Sequence, residues 1–220
     1  MSQGCCFCEE YLRPSGSQYY MELGRKIGVD SRILLETEHW YAVPTLGCLT
    51  AGYVLLVCKR HFRSAANLSV ELFQEMLELK DAVEARLYEK LGLPCLAFEH
   101  GSTSELESGA NSVDHVHLHM LPFPRELWPD LSREHDLKGF RAVAGYGDLI
   151  SLWASGLPET YLLFQDVNGR IYYRPDARGV TSQFFRKCLA SCFGTEEWDW
   201  RRAVHSENFL KTMELFRQRP

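Results

Sequence analysis

The sequence predicts an α+β fold: an antiparallel sheet carrying one long helix, then a C-terminal extension with a β-hairpin and helices. Three observations carry that reading. His115 to Phe123 alternates polar and apolar residues at the period of two expected of a strand with one face on a core. Ser69 to Gly92 sets Leu72, Phe73, Met76, Leu79, Val83 and Leu87 on one stripe of helical period, with Ser69 as a capping residue. Two apolar runs, Tyr161 to Asp166 and Arg170 to Arg174, flank Asn168-Gly169, a dipeptide favoured in tight hairpins because both central residues of such a turn need positive φ.

In chain order, the first thirty residues hold a cysteine cluster and the polar run Arg13 to Gln18, which reads as an arm or loop. Leu34 to Val43 and Tyr53 to Val57 read as an antiparallel pair of strands, with Gly47 and Gly52 in the connection. After the long helix, Leu96 to Glu99 is a short strand and Gly101 to Ser112 a polar loop leading into the histidine strand. The chain from Arg125 to about Gly156 reads as a connection with at most a short helix. Helices are predicted from Thr181 or Ser182 to about Phe193 and from Glu207 to Arg217. The expected division is residues 1–124 as one domain with an N-terminal arm and residues 125–220 as a C-terminal extension.

Composition narrows the function classes. The chain has 220 residues, 45% hydrophobic and 24% charged, which is ordinary for a folded globular protein. A net charge of -5 argues against a broad basic surface for duplex nucleic acid, while leaving room for a local basic pocket that takes one phosphate group. The N-terminus shows no basic stretch followed by an apolar one, and no apolar run is long enough to cross a bilayer, so the reading is cytoplasmic with no membrane partner. In that reducing compartment the 8 cysteines are not expected to form a disulfide framework. Cys48, Cys58, Cys95, Cys188 and Cys192 are read as small buried core residues. Cys5 and Cys8 form a Cys-x-x-Cys pair, two legs of a tetrahedral metal site or two free thiols near a terminus. His39 and His100 are read as structural.

The strongest chemical signal is His115-Val116-His117-Leu118-His119-Met120. On a strand, alternate residues share a face, so three imidazoles would stand in a row about 6.5 to 7 Å apart while Val116, Leu118 and Met120 anchor the other face. Two chemistries use such a row. Alternate histidines can bind a catalytic metal that activates water. Alternatively, one imidazole attacks phosphorus while a neighbour stabilises the charge developing on the phosphoryl oxygens.

These residues resemble the histidine triad (HIT) superfamily of nucleotide hydrolases and transferases, whose motif is His-φ-His-φ-His-φ-φ with φ apolar. His115 to Leu121 fits it at every position, and Ser112-Val113 matches the Ser-Val that leads into it. Gly52 to His61 resembles the family's Gly-His-x-Leu-Val-Ile-Pro-Lys-x-His strand, Glu36 to Trp40 the strand before it, and the helix from Ser69 the family's long helix. The resemblance implies a HIT-like fold and His117 as the nucleophile of a covalent phosphoryl or nucleotidyl intermediate, with Ser112 and His119 contacting phosphate oxygens. The transferase branch usually has Gln in the third position, so His119 favours hydrolysis. Zinc-bearing relatives complete a Cys-x-x-Cys site with the His of the Lys-x-His segment and the first His of the triad. Here those are His61 and His115, which with Cys5 and Cys8 would hold a structural zinc.

Three positions depart from the family pattern. Its ribose-binding Asp falls at Thr45, its Gly-His histidine at Tyr53, and its phosphate-supporting Asn near Glu99, whose charge would repel phosphate unless turned away, protonated or paired. In the C-terminal extension, Ser182 to Lys187 and Trp198 to Arg202 interleave aromatic and basic residues. They could grip a phosphate or stack a base, or form a core with a solvated rim. The resulting expectation is a homodimeric hydrolase of a nucleoside phosphoramidate or dinucleoside polyphosphate, its partner a small nucleotide or phosphorylated substrate. The alternatives are a nucleotidyl or phosphoryl transferase, a zinc-stabilised nucleotide-binding module without turnover, and a metal-dependent hydrolase with its metal on His115, His117 and His119.

Overall fold

A computed structural model describes residues 4–104 and 113–217. Its elements are α1 (Cys6–Leu12), a π-helical turn (Tyr20–Gly24) running into the short α2 (Arg25–Ile27), β1 (Leu35–Glu36), β2 (Trp40–Pro44), β3 (Val54–Cys58), α3 (Val70–Leu91), β4 (Cys95–Ser102) and β5 (His117–Pro122). There follow α4 (Trp128–Glu134), β6 (Arg141–Val143), α5 (Tyr146–Ser155), β7 (Thr160–Gln165), β8 (Ile171–Arg174), α6 (Phe184–Cys192) and α7 (Ser206–Phe216). All eight strands join one antiparallel sheet in the order β1-β2-β3-β5-β4-β7-β8-β6, so the fold is α+β.

The long helix begins where Ser69 accepts a hydrogen bond from the Leu72 N–H and ends at Gly92 in the left-handed conformation. Its stripe of Phe73, Met76, Leu79, Val83 and Leu87 packs with Val116, Leu118 and Met120 on one face of the sheet, where Leu149 and Trp153 of α5 join them. The opposite face carries Tyr41, Val43, Leu55, Phe98, Leu162 and Phe164, covered by Phe7 of α1, Phe185 and Leu189 of α6 and Phe209 of α7. That second layer comes from both ends of the chain.

Several expectations change. Much of residues 6–27 is helical, because Tyr19 and Leu23, four apart, are buried against the sheet while Pro14 and Gly16 interrupt the periodicity that would have revealed them. The stretch 125–156 holds two helices and a strand. Its first helix starts where the buried Asp166 carboxylate accepts the Leu127 and Trp128 N–H groups, a cap from nearly forty residues away that no local pattern announces. The histidine strand begins at His117, and His115 lies just before it. The hairpin at Asn168-Gly169 forms, but only Gly169 has positive φ, at 83°. The Asp166 carboxylate accepts the Val167 N–H, and the Gly169 N–H returns to the Asp166 carbonyl, so the loop is a type I turn followed by a left-handed glycine. Cys192 is exposed at the solvent side of α6, whereas Cys48, Cys58, Cys95 and Cys188 are buried.

β7 pairs along β4 from Ala97↔Gln165 to Ser102↔Thr160, so residues beyond 124 protect the full edge of a strand adjoining β5. A chain cut after Phe123 is therefore expected to lose cooperative unfolding and to aggregate, since it exposes that edge together with Leu96 and Phe98. Urea unfolding followed by circular dichroism checks this, and a sharp transition in the truncated chain would refute it.

Candidate functional site

β5 lies between β3 and β4, with His119 opposite Leu55 and Phe98, and His117 opposite Val57. The pleat sends Val116, Leu118 and Met120 toward α3 and the two histidines toward the layer built by the termini. That face is covered: His117 is 8% and His119 6% exposed.

His117 Nδ1 is 2.6 Å from the carbonyl oxygen of His115. A carbonyl only accepts, so Nδ1 carries the ring proton of the neutral imidazole and Nε2 keeps a free lone pair. Burial lowers the pKa of His117, with the nearby Arg186 acting in the same direction, which favours that neutral form. His119 stacks on Phe98 with ring centroids 4.4 Å apart, and its Nδ1 is 2.8 Å from the Tyr53 hydroxyl. Its pKa is also pushed well down by burial and by His117. Tyr53, which stands where the family has a histidine, thus bonds directly to the third triad residue.

The cavity in front of these rings measures about 40 Å³. Since roughly 10–15 Å³ suffices for one water, it has room for a group of a few heavy atoms, such as one phosphate. Its wall includes Thr45, Phe7, Arg32, Glu10, Arg186 and Trp200. A wider pocket of about 440 Å³ adjoins it, sharing Cys6, Gln18, Val113 and Trp200. Thr45 therefore reaches the cavity without a carboxylate. Glu10 is the one carboxylate in that wall among the described residues, and both its oxygens take bonds from Arg32, at 2.6 and 2.7 Å. Ser112 lies outside the described residues.

Glu99 is turned to the other face. Its carboxylate accepts the Ala65 N–H at 2.9 Å and the Tyr161 hydroxyl at 2.7 Å, on the α3 side of the sheet. It is 3% exposed, and burial, outweighing those two bonds, raises its pKa to about 7. On the site face His100 sits beside Phe98 and Phe185, its ring 6.2 Å from that of His119, and burial lowers its pKa to about 3. His39 is structural: its N–H and Nδ1 both meet the Glu75 carboxylate at 2.7 Å, tying the β1–β2 turn to α3.

At the end of β5, four side chains converge. Cys5 caps α1 and Cys8 lies within its first turn; His61 follows β3 and His115 precedes β5. The potential ligand atoms lie within 4.8 Å of one another. His115 Nδ1 is 3.2 Å from Cys5 Sγ and 3.6 Å from Cys8 Sγ, and His61 Nδ1 is 3.6 Å from Cys8 Sγ. His115 Nε2 donates to the Cys58 carbonyl at 2.7 Å, which leaves the Nδ1 lone pair facing the thiols. Burial and the neighbouring Cys5 raise the Cys8 thiol pKa to about 12, so that sulfur is held as a thiol until a cation replaces its proton. Two sulfurs and two imidazole nitrogens are the donor set of a closed tetrahedral zinc site, and these residues fit one. Because both nitrogens of His115 are engaged by the Cys58 carbonyl and the two thiols, the three triad histidines do not converge on one metal position.

Sequence reasoning missed Glu10, Arg32 and Arg186 as walls of the site and Tyr53 as the partner of His119. Glu10 and Arg32 are 22 residues apart with no local pattern linking them, Tyr53 registered only as a departure, and Arg186 lay inside an aromatic and basic run with two possible readings.

A family model described as the HIT domain matches residues 26–125. Among solved structures, a hypothetical histidine triad nucleotide-binding protein from Sulfolobus tokodaii is 15% identical, covering 55% of this chain and 70% of its own, with a TM-score of 0.40. A HIT family protein from Bacillus anthracis is 16% identical over 70% of this chain and 98% of its own, TM-score 0.43. A HIT family hydrolase from Clostridium thermocellum is 19% identical over 56% and 93%, TM-score 0.36. No curated protein matches the chain.

Two predictions follow from the geometry. Unmodified protein should retain one zinc per chain by elemental analysis; Cys8→Ala should lose it and His117→Ala should keep it. Zinc loss in the His117 variant would contradict the assignment of the four ligands. For Glu99, the folded pKa of about 7 exceeds the ordinary 4.5, so the folded chain holds a proton that the unfolded chain has released between those values. Stability therefore falls as pH rises from about 4.5 through 7, by up to about 3 kcal/mol. Glu99→Gln should flatten that slope in urea unfolding and be more stable than the parent at pH 8. Identical slopes would refute it.

Proposed function

The chain is a HIT superfamily protein with its HIT domain over residues 26–125, and from that premise we propose that it hydrolyses a nucleoside phosphoramidate or a nucleoside phosphoanhydride such as a dinucleoside polyphosphate, through a phosphorylated His117. The observation that carries this reading is the bond from His117 Nδ1 to the His115 carbonyl, which leaves Nε2 unprotonated inside a phosphate-sized cavity. In the first step Nε2 attacks phosphorus; the N–P bond forms as the bond to the leaving oxygen or nitrogen breaks, and the leaving group departs with the electron pair and takes up a proton. Water then attacks phosphorus, giving up a proton, and the N–P electrons return to the imidazole.

His119 has the complementary role. With the Tyr53 hydroxyl donating to Nδ1, the proton of its neutral ring sits on Nε2, where it can donate to a phosphoryl oxygen as charge builds there. The stacked Phe98 fixes the ring plane. Ser112 is assigned to the same oxygens on the motif alone.

Cys5, Cys8, His61 and His115 are proposed to hold a structural zinc, which when bound would join α1 to the two segments flanking the active strands. His115 also supplies the carbonyl that orients His117, so metal binding and nucleophile orientation share one residue. Among the described residues no helix is long and apolar enough to cross a membrane, and all eight cysteines are free thiols, which is consistent with the proposed cytoplasmic setting.

Mass spectrometry after mixing the protein with a panel of nucleoside phosphoramidates and dinucleoside polyphosphates tests this. An acid-labile adduct on His117 is expected, absent in His117→Ala, and His119→Ala should slow turnover by roughly 10²–10³-fold, the cost of removing one charge-stabilising donor. Turnover that persists in His117→Ala would refute the covalent mechanism.

A further inference from the structure

The formal charges lining the small cavity belong to Glu10, Arg32 and Arg186. Glu10 and Arg32 cancel through their two-point pair. Arg186 remains, and among the described residues no carboxylate pairs with it. It is 2% exposed, and it shares the cavity wall with His117 and His119. Taking a lone guanidinium out of water is costly unless an opposite charge or a full set of hydrogen bonds compensates.

The hydrogen bonds do not complete that set. Arg186 Nε donates to the Trp198 carbonyl at 3.1 Å and Nη2 to the Gly47 carbonyl at 2.7 Å, while Nη1 has no partner. The guanidinium also lies over the Tyr53 ring, 5.3 Å from its centroid, and Tyr53 in turn bonds His119. Its surroundings hold it in place. A Cβ at position 47 would overlap Arg186 Nη2 and the Trp200 backbone, so glycine there gives the guanidinium its room. Gln183, at the start of α6, is buried and is the only non-glycine described with positive φ, and its Nε2 donates to Asp199 at 3.0 Å. The C-terminal segment is thus fastened so as to present one buried cation, with a spare donor nitrogen, beside the two histidines.

We propose that Arg186 binds a phosphate group of the substrate in the His117 cavity, so that the site's positive charge comes from the C-terminal segment rather than from the HIT domain. The proposal deepens, and rests on, the phosphorus chemistry assigned to His117. A planar fork of N–H donors matches phosphate oxygens, and two of its nitrogens are already anchored to carbonyls, leaving Nη1 to meet the anion.

Calorimetric titration of the full-length protein with inorganic phosphate at fixed ionic strength tests the assignment. Arg186→Gln should weaken phosphate at least about tenfold, the usual scale for one charge-assisted contact, and Arg186→Lys should recover part of the loss. Equal affinity in a folded Arg186→Gln protein, or no phosphate binding by the unmodified protein, overturns it. Should the Gln variant fail to fold, crystals of the unmodified protein soaked in tungstate decide: the anion is expected within hydrogen-bond distance of the Arg186 guanidinium, and tungstate bound only elsewhere, or not at all, overturns the proposal. Adduct formation on His117 in the same preparations separates this inference from the enzymatic one. Phosphate binding that depends on Arg186, with no adduct in the unmodified protein, upholds the Arg186 site and removes the covalent chemistry. An adduct that forms normally in a variant with unaltered phosphate affinity does the reverse.

Discussion

The alternation along β5 is the constraint on which the rest of this molecule depends. A strand buried on both faces usually reads as a continuous apolar run, because imidazole in a core must find hydrogen-bond partners or be costly. β5 instead puts aliphatic side chains on α3 and imidazoles on the opposite layer, so that layer has to satisfy them. The His115 carbonyl does so for His117 and the Tyr53 hydroxyl for His119, while Phe7 and Phe98 supply ring contacts. A one-residue slip of β5 against β3 or β4 would turn the imidazoles into the α3 core and break the contacts with Tyr53, Phe7 and Phe98 at once.

The first histidine of the row illustrates how one chemistry can be kept apart from another at short range. His115 falls outside the regular ladder, and its ring meets the sulfurs of α1 rather than the cavity. Its backbone stays in contact with His117 through the carbonyl, and its Nε2 is tied to the Cys58 carbonyl at the end of β3. Side chain and main chain of a single residue therefore serve two sites. The N-terminal arm therefore touches, through the His115 ring, the same residue whose carbonyl orients His117.

Legibility in the sequence followed the range of the determining interactions. The long helix was readable because its cap, stripe and terminal glycine lie within 24 residues, and the triad strand because period two survives in isolation. The cysteine and histidine cluster was reached through the family's spacing, since nothing local links Cys5 to His115. What stayed hidden was made by distant partners: α4 takes its cap from Asp166, Tyr19 and Leu23 are helical because of the sheet beneath them, and Glu10 finds Arg32 only after folding. Glu99 shows the finer limit. Its position in the strand could be read, but whether its carboxylate faced the His117 cavity or the α3 core depended on a register that the sequence alone did not supply.

That last case also sharpens what a departure from a family pattern means physically. An acidic residue facing the cavity would oppose an anionic substrate, and Glu99 avoids this by facing away, paired to Tyr161 and the Ala65 backbone. Thr45 takes a carboxylate out of the wall, and Glu10, which restores one, is neutralised by Arg32. None of the three leaves an unpaired negative charge facing His117, and the uncompensated Arg186 adds positive charge. At an effective dielectric near 20, a single unpaired charge at about 4 Å contributes roughly 4 kcal/mol, enough to dominate the field in so small a cavity. The electrostatic balance of this site is therefore set outside the triad, by residues from both ends of the chain.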